Sequence, residues 1–78
     1  MDSEELKKIY EDTVLDKFHA HEALDRAFIM SEMFGLSVLE HPFIFKNEKL
    51  KEKAEEISQG LFDLYQMTSN LSLDLYDH

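Results

Sequence analysis

The less polar positions of this chain recur at helical steps almost from its start. From Leu6 onward, Ile9, Tyr10, Thr13, Val14 and Phe18 follow at intervals of three and four, the spacing of one helix face. Asp2 with Glu5 three residues later reads as a capping-box-like start, with further acid in the first turn to complement the helix dipole. Nothing between Ser3 and Phe34 forbids continuous helix. Pro42 stops it, because the residue before a proline avoids the α region. The pattern therefore predicts helix over 3–40, and ordinary helix lengths favour two helices with a bend near 17–21.

The stretch Leu24–Leu39 is the most apolar. Leu24, Ala27, Phe28, Ser31, Phe34, Gly35 and Val38 line one face, while Ile29, Met33 and Leu36 fall on the other side. A helix that is apolar all round is expected to be covered all round, which a few helices of one small chain cannot do. Leu24, Ala27, Phe28, Ile29, Ser31, Met33, Gly35 and Leu36 are thus the expected interface between copies of the chain. The small residues Ala27, Ser31 and Gly35, four apart, suit a close approach of helices.

Residues 41–47 read as a turn whose Phe43, Ile44 and Phe45 pack over the helix ends, and Asn47 is a good N-cap for the next helix. Leu50, Ala54, Ile57, Leu61, Leu64, Thr68 and Leu71 then step by four and three in an unbroken heptad seam, predicting a helix over 48–68. Phe62 and Tyr65 widen that seam, which suits a bundle better than a two-stranded coil. Gly60, costly inside a helix, is expected to admit a close neighbour. Over 70–78 the alternation of apolar and polar residues predicts an extended arm, docked on a neighbouring subunit or frayed.

Length and charge change this picture in two ways. A chain of 78 residues without cysteine has no disulfide to supplement its core, and cores this small supply only ~3–5 kcal/mol. Self-association is the expected remedy, so the predicted fold class is an all-α hairpin or three-helix bundle that assembles into a larger symmetric helical bundle. The formal net charge of −9 is uneven: residues 1–16 carry −4, 17–45 carry −2, 46–60 are neutral and 61–78 carry −3. Nucleic acid and anionic membranes repel such a chain, whereas a basic protein surface attracts it. The acidic start Met1-Asp2-Ser3-Glu4-Glu5 is unlike a signal peptide, and a cytoplasmic location is expected.

One cluster invites chemistry. His19-Ala20-His21-Glu22-Ala23-Leu24-Asp25-Arg26 holds two of the four histidines and the only arginine. Lys17, His19, His21 and Arg26 are candidate ligands for a phosphorylated small molecule held between subunits, with Arg26 offering bidentate contacts. Asp16, Glu22 and Asp25 in the same segment oppose such a field. Asp16-x-x-His19 resembles half of a carboxylate-bundle metal motif, but a full site needs more ligands than one chain offers, so no metal and no cofactor is expected. There is no Gly-rich phosphate loop, nucleophile motif or His-Glu-x-x-His, so no enzyme activity is expected either. An acidic face spaced like phosphates, built from Asp2, Glu4, Glu5, Glu11, Asp12 and Asp16 with Asp63, Asp74 and Asp77, would mimic nucleic acid, though solubility alone explains the same charge.

The function that fits is non-enzymatic: a small acidic interaction protein that binds and inhibits or modulates another macromolecule. Its composition is that of phage or mobile-element accessory proteins that act on host factors, an analogy at the level of composition. The alternative is an oligomer that sequesters a nucleotide-like ligand at inter-subunit pockets.

Overall fold

A computed structural model describes residues 1–76, and among these the chain is all-α with no strand. Helix α1 spans Ser3–Ile9, α2 Lys17–Phe34, α3 Pro42–Phe45 and α4 Glu48–Tyr76, with a π-helical turn Gly35–Leu39 closing α2. The central feature is a hairpin in which α2 packs along α4.

Each helix starts where a side chain satisfies the free backbone N–H groups. Asp2 Oδ1 accepts from the Glu5 N–H at 2.9 Å and opens α1. Chain continuity then fails over residues 10–16. Glu11 and Asp12 oppose the negative end of the α1 dipole, and Thr13 and Val14 are β-branched, poor helix formers. Asp16 restarts the helix from an extended backbone, so the break falls just before the predicted bend rather than within 17–21. Helix α1 packs against no other helix.

At the far end of α2 the Ser37 hydroxyl donates to the Met33 carbonyl, and the Glu40 N–H reaches back five residues to the Gly35 carbonyl. A hydroxyl bonded one turn back widens the helix there. The 41–47 turn contains a helical turn of its own, α3, because Pro42 is preset for the first helical position and His41 Nδ1 accepts from the Phe43 N–H at 3.2 Å. Lys51 Nζ lies 4.3 Å from the centre of the Phe45 ring and fastens α3 to α4. Asn47 Oδ1 accepts from the Leu50 N–H at 3.1 Å, so Asn47 caps α4.

Two expectations are corrected. The predicted arm is helix as far as Tyr76, with residues 77–78 outside the described residues. Continuous i→i+4 bonding carries α4 through the alternating Leu71-Ser72-Leu73-Asp74-Leu75 stretch, whose Leu and Ser lie on different sides of the helix. Neither glycine admits a close neighbour from within the chain, since a Cβ added at Gly35 or Gly60 would meet nothing within 4 Å.

The hairpin seam is rotated from the sequence seam. On α4 the buried and half-buried residues are Lys51, Ala54, Ser58, Leu61, Tyr65, Thr68, Ser69, Ser72 and Tyr76. Ala54, Leu61 and Thr68 belong to both seams, but Leu50, Ile57, Leu64 and Leu71 give way to the residue after each. From α2 this seam receives Ala20, Leu24, Ala27, Ser31 and Phe34. Phe28 and Tyr65 meet with ring centres 5.7 Å apart at 53°, and Phe62 lies 6.4 Å from Tyr65. Tilted aromatic contacts of this kind fix register as well as burying area.

The molecule is a plate one helix layer thick, 47 × 32 × 15 Å. Its radius of gyration is 16.0 Å, against about 11.5 Å for a compact domain of this length. Its accessible surface is 6741 Å², where a compact 9.2 kDa monomer exposes about 4,900 Å². Only Ala54 and Ser72 are buried among the described residues.

Candidate interaction surfaces

The cationic residues singled out in the sequence do not converge in one chain. Successive residues of a helix are turned by about 100°, so Lys17 and His21 share one side of α2 while His19 and Arg26 share the opposite side. Arg26 Nη2 pairs with Glu22 Oε1 at 3.3 Å on the exposed surface, an i,i+4 contact of a few tenths of a kcal/mol. His21 lines a shallow depression with Leu24, Asp25, Phe28 and Tyr65. Lys17 and His21 each have an interaction partner of their own.

His19 works with Asp16 in a reciprocal cap. Asp16 Oδ1 accepts from the His19 backbone N–H at 3.0 Å, and His19 Nδ1 lies 3.2 Å from the Asp16 backbone nitrogen and 3.0 Å from Asp16 Oδ1. Neutral imidazole accepts the Asp16 N–H there; the protonated ring donates to the carboxylate instead. The His19 N–H, and with it the nearby imidazole, holds the Asp16 carboxyl below its ordinary value of 3.8. The aspartate–histidine spacing that resembles half a metal motif is thus a helix start, an N-cap followed at N3 by a side chain able to bond back. Among the described residues no group of three or more His, Asp or Glu side chains is placed to hold a metal ion.

Among the described residues, three groups of exposed apolar side chains form continuous surfaces. Ile29, Met33 and Leu36 stand on the outer edge of α2, turned away from α4 and exposed. The other members of the expected interface divide differently: Leu24, Ala27, Ser31 and Gly35 are half-buried on the hairpin side of α2, and Phe28 is engaged with Tyr65. A second surface is the row Leu50, Ile57, Leu64 and Leu71 on α4, continued at the open end of the hairpin by a groove of about 240 Å³ lined by Leu15, Ala20, Ala23, Leu71 and Leu75 among others. The third is the N-terminal arm, where Ile9, Tyr10, Val14 and Leu15 are exposed beside Glu4, Glu5, Glu11 and Asp12.

No helix among the described residues is long and apolar enough to cross a membrane. Comparison with protein-family models, with curated proteins and with solved structures finds no match to this chain.

Proposed function

We propose that this chain is a small, acidic, non-enzymatic interaction protein of the cytoplasm that self-associates and binds another macromolecule through a basic surface, as an inhibitor or modulator. The observation that supports this reading is the surplus surface: 6741 Å² exposed, about 1,800 Å² more than a self-contained monomer of its mass shows. The exposed large apolar side chains within that surface, Val14, Phe18, Phe43 and Met67 among them, favour association when left in water. The arm over 1–16, with charge −4 and packed on no other helix, combines acid with exposed Ile9 and Tyr10 and suits a basic groove with an apolar floor. The divergence of Lys17, His19, His21 and Arg26 around α2 gives the nucleotide-sequestering alternative no support from a single chain.

The test is affinity capture from an extract of the native host, with the native chain beside a Glu4→Lys/Glu5→Lys/Glu11→Lys variant. A stoichiometric partner that is retained at low salt, released by raising salt and lost in the charge-reversed variant is expected. Absence of a stoichiometric partner, or one indifferent to both salt and charge reversal, overturns the reading.

A further inference from the structure

The row Leu50, Ile57, Leu64 and Leu71 stands beside the hairpin seam, and only Leu71 at its end lines the groove shared with α2. Each of these residues immediately precedes a buried or half-buried one, namely Lys51, Ser58, Tyr65 and Ser72. One residue is about 100° of rotation, so the row lies on a flat side of the plate rather than in its seam. The four are 38%, 45%, 53% and 57% exposed, substantial for aliphatic side chains spaced evenly along three heptads. A strict seven-residue repeat drifts around a straight helix and is matched by a second helix that carries the same repeat and crosses with a left-handed twist. Within this chain α2 shows the same spacing at Ala20, Leu24, Ala27, Ser31 and Phe34, but that face is already taken up in the hairpin seam.

We infer that the Leu50–Ile57–Leu64–Leu71 face is the docking surface for a second copy of the chain, α4 against α4, antiparallel about a two-fold axis near Gly60. Three observations converge on that occupant. The chain exposes about 1,800 Å² more than a compact monomer of its mass, spread over several faces, which leaves room for the ~800 Å² per partner that a specific pair needs. The 15 Å plate becomes, on pairing, a two-layer four-helix arrangement with an interior, the smallest architecture in which such a helix is covered. Gly60 sits midway along the row, and a Cβ there meets nothing in its own chain, so its side is open to an incoming helix. The two-fold sets Ile57 opposite Leu64 of the second copy. The interface thus moves from the α2 residues favoured by composition to the α4 row, leaving the outer edge of α2 free.

This inference rests on the association half of the reading above, and its failure is separable: a monomer that still captures a partner overturns the pairing alone. Native mass spectrometry at micromolar concentration is expected to give twice the 9.2 kDa chain mass, falling to one chain in Leu64→Glu and unchanged in Ile29→Glu. Because the chain has no cysteine, Ile57→Cys/Leu64→Cys supplies a milder probe that keeps the face apolar. Its two thiols, seven residues and ~10.5 Å apart on one helix, are too distant to bridge within a chain, so mild oxidation is expected to yield cross-linked pairs. A monomeric native chain, association abolished by Ile29→Glu but not by Leu64→Glu, or a double-cysteine variant that oxidises without cross-linking, each overturns it.

Discussion

Single side chains decide where the helices of this protein begin. Asn47 holds one of the free N–H groups of α4, and Asn47→Ala is expected to cost about 1 kcal/mol, read from the midpoint of urea denaturation. Asp16 does the same for α2, and its carboxyl adds a pH dependence. Its folded-state pKa lies below the ordinary value of 3.8, so its stabilisation is complete above that value and is lost as pH falls through the lower folded one. The thermal midpoint of Asp16→Ala is accordingly expected to lie below that of the native chain near pH 6, with the gap narrowing toward pH ~2. His19 was legible as a titratable residue near carboxylates, but its role was not, because the same spacing serves a metal motif and a capping pair alike. Only the extended backbone of Asp16 distinguishes them.

At the scale of elements, continuity and packing separate. Gly35 adopts ordinary right-handed helical angles, φ −58° and ψ −49°, with open space where a Cβ would go. Gly35→Ala is therefore expected to stabilise the chain by about 0.5–1 kcal/mol through reduced backbone freedom when unfolded, measured by the same denaturation. Helix α1 forms but leans on nothing, so Leu6→Pro, which breaks it, is expected to lower the far-ultraviolet helical signal slightly and leave the hairpin's thermal midpoint unchanged. A coupled fall in the midpoint would show that α1 is part of the packed structure. The gap between α1 and α2 was harder to read than either helix, since no proline or glycine marks it. It arises from an acidic helix end, two β-branched residues and a strong new cap acting together.

For the whole molecule, charge and exposed apolar area oppose each other. A net charge of −9 keeps copies apart while Phe18, Phe43, Met67 and their like stand in water. As that charge is titrated away by lowering the pH, turbidity is expected to rise to a maximum near the pI of 4.7 and to clear again when the pH is returned to neutrality. The flat shape explains why the chain needs that charge: two helices side by side share one seam, and every other side of each is left to solvent or to a neighbour.

By itself the amino-acid sequence determined the helical class, the caps at Asp2 and Asn47, the stop at Pro42 and the presence of a heptad pattern on the last helix, because each depends on residues within one or two turns. Tertiary structure alone decided which side of that pattern the hairpin would take. The seams Leu50–Ile57–Leu64–Leu71 and Lys51–Ser58–Tyr65–Ser72 share Ala54, Leu61 and Thr68 and differ by one residue of rotation. Apolarity favours the first. The smaller Ser58 and Ser72, with Tyr65 set against Phe28, let α2 lie close along the second, and that choice turns the aliphatic row outward.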